Sequence, residues 1–402
     1  MKKLEKSVPI IRFKGFYEAW EQRKLGEDVN FLNGRAYSQK ELLDKGKYKV
    51  LRVGNFNTND RWYYSDLELE ENKYANRGDL LYLWATNFGP EIWNQEKVIY
   101  HYHIWKLKIM NINVSKQYLY TWLITDKERI KQSTNGTTMV HVTKGHIEQR
   151  EFQIPPNLTE QQKIGTFFKQ LDDTIALHQR KLDALKLMKK AFSQQIFPEN
   201  NRKKPKIRFT SFYEEWEQRK IGEYGYFYYG KSAPKWSVAQ DATTPCVRYG
   251  ELYTKFGPEI DIVHSYTNID KSNLKFSSGN EVLVPRVGEN PLDFANCSWL
   301  SISNVAIGEM ISVYNTEQYP LFIAYYFRSK MKYEFAKRVE GGNVSNLYYS
   351  YLEDILISVP SIEEQKKIAE FLNKIDITIN LLQNKLGRIK ELKKAYLQNM
   401  FI

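Results

Sequence analysis

"PIIRFKGFYEAWEQRKLGE", residues 9–27, returns as "PKIRFTSFYEEWEQRKIGE", residues 205–223, with 14 of 19 positions identical at an offset of 196. Identity on that scale within one chain marks a duplicated unit, and a repeat decides the architecture before any single motif does. A second pair of segments closes each half. "IPPNLTEQQKIGTFFKQLDDTIALHQRKLDALKLMKKAFSQQIF" begins at Ile154, and "VPSIEEQKKIAEFLNKIDITINLLQNKLGRIKELKKAYLQNMF" begins at Val359. At an offset of 204, Pro156 matches Pro360, Glu160-Gln161 matches Glu364-Gln365, Asp172 matches Asp376 and Phe197 matches Phe401. The chain reads leader, variable block, long segment, and then the same three again.

The closing segments predict long helices. Proline, then Ser or Thr, then acidic residues is a helix-start signature. Behind it Ile164, Phe168, Leu171, Ile175, Leu182 and Leu185 recur at spacings of three, four and seven, as do Ile368, Leu372, Ile375, Ile379, Leu382 and Leu386. An ordinary bundle core would show the same stripe. Because the stripe occurs once per half, the two helices are expected to pack on each other in coiled-coil fashion. About 38 residues at ~1.5 Å rise would span roughly 57 Å. The leader aromatics Phe13, Phe16, Trp20 and their counterparts Phe209, Phe212, Trp216 are expected to pack against these helices, with contact to a partner protein as the sharper alternative.

The variable blocks, roughly 28–153 and 224–357, are rich in Tyr, Trp, Asn and Gly and carry short β-type runs such as "KYKVLRV", "DLLYLWA", "KVIYHYHIWKLKI", "EVLVPRV" and "NVAIGEMISVY". Each also holds one helical stretch, "VSKQYLYTWLITDKERIKQ" or "YPLFIAYYFRSKMKYEFAKRV". Two α+β domains are therefore expected. The boundaries read 1–153 for the leader and first domain, 154–204 for the first helix and linker, 205–358 for the second leader and domain, and 359–402 for the second helix.

Composition bounds the rest. Two cysteines in 402 residues, Cys246 and Cys297, imply no disulfide framework and fit a reducing cytoplasm. No apolar run approaches the ~20 residues of a membrane span, so a cytoplasmic protein without membrane contact is expected. The net charge of +12 invites a nucleic-acid partner. Residues 159–206 and 361–402 hold nine of those twelve charges, which a solvated helix face would also explain.

One stretch argues for a different chemistry. "GYFYYGKS", Gly225 to Ser232, matches the phosphate-loop pattern G-x-x-x-x-G-K-[ST]. Such a loop must leave an aliphatic strand and enter a helix. Here "QRKIGEY" precedes it, "SAPKWSV" follows it with a helix-disfavouring Pro234, and four aromatic residues crowd the positions that must wrap phosphate. The repeat also aligns Gly230-Lys231-Ser232 with Gly34-Arg35-Ala36, leaving only a glycine turn followed by a cation. Nucleotide binding is the weaker alternative, and a repeat-built protein-binding scaffold is a second.

"LRVGNFNT" (51–58) matches "VRYGELYT" (247–254), preserving Arg52/Arg248 and Gly54/Gly250 while Asn55 changes to Glu251. A retained Arg-x-Gly frame with one switched polar residue is the pattern of scaffold plus reader, since Asn pairs with adenine and Glu accepts from the cytosine amino group. The arginine bracing the fold, and the glycine marking a bend, is the plainer reading.

Taken together, "WEQRKLGE" and "WEQRKIGE", the P-x-x-EQ-x-KI helix starts and the "LMKKA" and "LKKA" tails resemble the specificity subunit of type I DNA restriction–modification enzymes, over nearly the whole chain. The resemblance implies two tandem target-recognition domains joined by two long antiparallel helices, with an internal pseudo-twofold repeat. Each domain would read one half of a split double-stranded DNA sequence. It implies docking of two methyltransferase subunits and, through them, restriction–translocase subunits. S-adenosylmethionine, ATP and magnesium would be used by those partners and not bound here. The implied DNA-facing candidates are Arg35, Tyr37, Arg52, Gly54, Asn55, Asn57, Trp84, Asn87, Asn135, Thr137 and Thr138 in the first half. In the second they are Lys231, Ser232, Arg248, Gly250, Glu251, Arg286, Asn343, Ser345 and Asn346. Arg35, Lys231 and Arg286 are expected on phosphates, which position a protein without specifying sequence.

Catalytic signatures point elsewhere. The Pro-Pro pair at 155–156 lacks the flanks of an [ND]-P-P-[YF] methyltransferase motif. "HYH" at 101–103 would set two histidines on one strand face, without an acidic or cysteine partner at ligand spacing. A non-catalytic subunit is expected.

Overall fold

The structure is a computed structural model, and it describes residues 8–56, 59–85, 87–133, 141–199, 202–231, 233–239 and 241–401. The chain divides into two compact units: Met1–Gln179 with Asn384–Ile402, and Arg180–Gln383. Each unit thus holds one leader, one variable block, and a piece of each long helix.

In the first unit the main sheet has the order Val29–Asn33, Ile104–Ile109, Leu80–Leu83, Gly89–Ile92, antiparallel throughout. A smaller sheet carries Tyr63–Ser65, Tyr48–Leu51, Val98–Tyr100 and Tyr74–Ala75, with its middle pair parallel. In the second unit the main sheet runs Gly225–Tyr229, Ile311–Thr316, Glu281–Pro285, Ser298–Leu300, with Glu259–Ile260 added at the edge. Its smaller sheet runs Ser265–Thr267, Thr244–Val247, Ala306–Ile307, again with the last pair parallel. The four shared strands of the main sheets therefore occur in the same spatial order. The runs "KVIYHYHIWKLKI" and "NVAIGEMISVY" each prove to be two strands belonging to different sheets, and the chain crosses between the sheets at 101–103 and 308–310.

Against each main sheet packs one helix of the block, α1 (Lys116–Ser133) or α3 (Pro320–Lys330). The second helical stretch of the sequence breaks after Lys330 and resumes at Lys332. The α3 face is buried along Leu321, Phe322, Tyr325 and Phe327, and α1 buries Tyr118, Leu119, Trp122 and Leu123. Each such side chain contributes about 1.5–3 kcal/mol by leaving water.

The long helices are α2 (Leu158–Gln195, 38 residues) and α4 (Ile362–Met400, 39 residues). In the first unit the start of α2 lies on the end of α4: Phe167 meets Tyr396 edge-on at 5.0 Å, and Asp172 pairs with Lys393. The second unit repeats both contacts with the helices exchanged, Phe192 on Phe371 at 5.0 Å and Lys189 on Asp376 at 2.5 Å. The helix segments therefore run antiparallel within each unit. Ile164, Phe168, Leu182, Ile368, Leu372, Ile375, Ile379 and Leu386 are buried, while Leu171, Ile175, Leu185 and Leu382 are half-buried.

The leader explains the shared motif at the helix starts. Arg12 forms a two-pronged pair with Glu160 at 2.6 and 2.8 Å, and Arg208 does the same with Glu364 at 2.8 and 2.7 Å. The next residue ties the helix to its block. Gln161 donates to the Pro155 carbonyl and accepts from the Ser115 N–H, while Gln365 donates to the Pro360 carbonyl and accepts from the Tyr319 N–H. Phe13 and Phe209 stack edge-on against Phe167 and Phe371 at 6.0 Å in both units, and Trp20 and Trp216 are buried. Lys163 and Lys367 sit over the rings of Phe16 and Phe212 at 4.9 and 5.0 Å. The Ile207 N–H donates to the Gln195 carbonyl where α2 ends, and the Ile11 N–H donates to the Asn399 carbonyl near the end of α4.

Candidate nucleic-acid interface

Three equivalent pairs of candidates, Arg35/Lys231, Arg52/Arg248 and Trp84/Arg286, border the turns where the chain crosses between the two sheets of each unit. Gly34 and Gly230 leave the first main-sheet strand by donating to the carbonyls of Ile104 and Ile311. The following N–H groups, of Arg35 and Lys231, donate to the carbonyls of Tyr100 and Ile307. A Cβ at Gly34 would lie 2.3 Å from the His101 carbonyl oxygen, and one at Gly230 would lie 2.1 Å from that of Gly308. Backbone runs against backbone here, so both positions require glycine. This is the purpose of the glycine in "GYFYYGKS". Gly225–Tyr229 is a strand paired residue by residue with residues 312–316, not a loop wrapped around phosphate.

Arg52 and Arg248 follow the parallel strands of the smaller sheets, and His101 and Gly308 donate their N–H groups to the preceding residues, Leu51 and Val247. The Arg52 guanidinium lies 4.3 Å over the Tyr63 ring. The switched pair Asn55/Glu251, expected as readers, is held by hydrogen bonds within its own unit. The Asn55 side chain accepts from the Arg52 N–H at 3.0 Å and donates to the carbonyls of Asn59 and Arg61. Glu251 accepts from the Arg248 N–H at 3.0 Å, from Ser265 and from Lys255, and is 5% exposed. Both side chains hydrogen-bond within their own units. Neither Gly54 nor Gly250 has a positive φ, so no bend demands glycine there.

Arg35 is also engaged. It pairs with Glu41 at 2.6 Å and lies 4.7 Å from the Tyr37 ring centroid. The Ser38 N–H and hydroxyl, together with Arg35, hold the Glu41 carboxyl down at about 2. Lys231 reaches the Ser272 carbonyl at 3.4 Å from an exposed position.

Trp84 and Arg286 each follow the third strand of the main sheet. Trp84 donates its indole N–H to the Tyr102 carbonyl at 2.7 Å and meets His103 edge-on at 4.8 Å, with His141 at 6.1 Å. Histidines 101 and 103 lie in the crossing turn and not on a strand face, with ring centroids 5.0 Å apart. Burial, then His103 and Arg52, push His101 down to about 4. Burial and then His141 lower His103. Arg286 lies between Tyr229 at 4.4 Å and Tyr348 at 5.4 Å. Beyond it Val287–Gly288 pairs with Ser345–Asn346, the return strand of a hairpin whose other strand is Glu340–Gly341. Ser345 is buried in that hairpin, Asn346 is half-buried, and Asn343 is exposed near its tip. Asn87 is exposed. Asn57, Asn135, Thr137, Thr138 and Ser232 lie outside the described residues.

Two equivalent pairs of exposed apolar residues were not singled out in the sequence. Tyr17 and Tyr213, equivalent leader residues, are 87% and 78% exposed, and the equivalent Leu177 and Leu381 are 56% and 64% exposed. The "FYE" identity in both leaders was the available signal. Among the described residues no group of three potential metal ligands occurs, and no helix is long and apolar enough to cross a membrane.

Two α+β units with one frame and different tips, each holding part of a long helix pair, define a tandem recognition protein. The family model for the type I restriction modification DNA specificity domain matches residues 17–187 and 213–391, and the chain belongs to that family. It is 26% identical over 399 residues to the type I restriction enzyme MjaVIII specificity subunit of Methanocaldococcus jannaschii, covering 94% of this chain and 91% of that protein. It is 23% identical over 186 residues to the EcoBI specificity subunit of Escherichia coli, covering 45% and 38%. The fold matches the crystal structure of the type I restriction–modification S subunit from M. genitalium with a TM-score of 0.65, at 12% identity and over 98% of this chain and 99% of that one.

Proposed function

We propose that each unit reads one half of a split, asymmetric DNA sequence, with the long helices setting the number of base pairs between the halves. The observation that carries this reading is the contrast inside the repeat. Leader, helix start and crossing turn are built alike, while the side chains they present differ. One chain with two unlike readers on one frame recognises two unlike sequences. It also offers two equivalent faces to two copies of one partner. The leader faces bearing Tyr17 and Tyr213 would each take one methyltransferase subunit, and restriction–translocase subunits would join through them. The chain itself is non-catalytic and works in the cytoplasm. S-adenosylmethionine, ATP and magnesium serve the partner subunits, and none is held here.

Single-molecule methylome sequencing of a host with and without this gene tests the reading. The expected result is loss of one bipartite methylated motif. An unchanged methylome would instead favour a protein-binding scaffold. Removing four residues, about one helical turn, from both α2 and α4 should alter the spacer and leave both half-sequences intact.

A further inference from the structure

We infer that Arg286 is a base-reading residue of the second unit, recognising guanine, and that Trp84 holds the same reading position in the first. The inference rests on the proposed role in DNA recognition and names a specificity determinant within it.

The equivalence comes from strand pairing. Leu83 pairs with Ile104 and Pro285 with Ile311. The next N–H groups, of Trp84 and Arg286, donate at 3.2 Å to the carbonyls of His103 and Met310. In return the Trp84 and Arg286 carbonyls accept from the N–H groups of Val142 and Leu347 at 3.0 and 2.8 Å. The two residues therefore occupy one place in one backbone frame.

Phosphate is the same group whatever the base sequence, so a phosphate contact has no reason to differ between units. Arginine is indeed kept at 52 and 248, and a cation at 35 and 231. At 84 and 286 an indole faces a guanidinium. That is the difference required of a position whose partner changes with sequence.

The surroundings of Arg286 suit reading. Two tyrosine rings flank its guanidinium, Tyr229 at 4.4 Å and Tyr348 at 5.4 Å. Its Nε is buried without a hydrogen-bond partner. That Nε cannot reach a base, so the two Nη groups supply the planar fork of donors that matches guanine O6 and N7, the commonest specific contact in the major groove. Trp84 has already spent its N–H on Tyr102. It offers apolar ring surface, which suits contact with a thymine methyl group.

The test is methylome sequencing of hosts carrying the intact complex with Arg286→Lys or Arg286→Gln. Lysine keeps the charge and loses the fork. Both variants are expected to relax one position in the half-sequence read by the second unit, with a roughly 10- to 100-fold loss of preference for the original base. The other half-sequence stays unchanged. An unaltered motif in the lysine variant, with uniformly slower methylation and a shallower salt dependence in the glutamine variant, would identify a phosphate contact and overturn the inference. Loss of methylation at every sequence in both variants, with a lowered unfolding midpoint, would identify a brace for Tyr229 and Tyr348 and overturn it equally. Failure of the underlying DNA reading looks different, because deleting the whole gene would then remove no motif.

Discussion

The two units can be compared residue by residue. Where they touch the long helices they are nearly superimposable in chemistry. Arg12–Glu160 answers Arg208–Glu364, Phe13–Phe167 answers Phe209–Phe371, and Asp172–Lys393 answers Lys189–Asp376. Where they cross between sheets they diverge. The first unit places His101, His103 and Trp84 where the second places Gly308, Met310 and Arg286. The duplication is conserved where the leaders clamp the long helices and divergent at the crossing turns, as the proposed two-target reading requires.

The sharpest way to break that comparison is at the leader clamp. Glu160→Ala strands the nearly buried Arg12, and Glu364→Ala strands Arg208, whose side chains are only 12% and 14% exposed. Losing one partner of a buried pair costs about 3–5 kcal/mol. Urea unfolding should show losses of similar size for the two variants, and a marked inequality would mean that the clamps are not equivalent. Replacing both partners of one clamp by Met and Leu should be far milder.

Next in size are Gly34→Ala and Gly230→Ala. Each sets a methyl group against a carbonyl in the crossing turn, and such overpacking costs roughly 1–3 kcal/mol. Thermal unfolding should register both. A neutral result in one unit would show that its turn relaxes where the other cannot.

Smaller and confined to one half is Arg52→Ala. The variant tests Arg52 for a phosphate contact, whose loss would lower the salt slope of DNA binding by about one and weaken all sequences alike. Affinity measured across a salt series on the assembled complex checks this. A changed half-sequence would move Arg52 to the reading side.

The smallest effect is a difference in acid sensitivity. His101 lies at about 4 in the folded unit against an ordinary value of 6.5, chiefly through burial. The unfolded chain therefore takes up this proton first. The stability that neutral His101 contributes is complete above about 6.5 and is lost as pH falls from there towards 4. His101→Gln should flatten that decline in the first unit. The second unit carries Gly308 at this place and should not show it.

Much of this protein was open to a reader of its sequence. The duplicated leader, the stripe of α2 and α4 and the P-x-x-EQ helix starts each reflect contacts local in sequence or repeated at fixed offsets. The glycine turn at 34 and 230 was legible because both halves still align there. Asn55 and Glu251 were less legible, because a switched polar residue looks alike whether it braces a turn or reads a base. The hydrogen bonds from the Arg52 and Arg248 N–H groups show the bracing, which the sequence does not.

By itself the sequence determined the duplication, the helices, the glycine turns and the family, since each rests on periodicity or identity at constant spacing. The tertiary structure alone decided which residues stand opposite one another across the repeat. The offset is 196 at Arg52/Arg248, 202 at Trp84/Arg286, 207 at Ile104/Ile311 and 204 at the helix starts. Loops of unequal length separate these elements, so linear alignment loses the register. Strand pairing restores it, because each backbone N–H must find its own carbonyl.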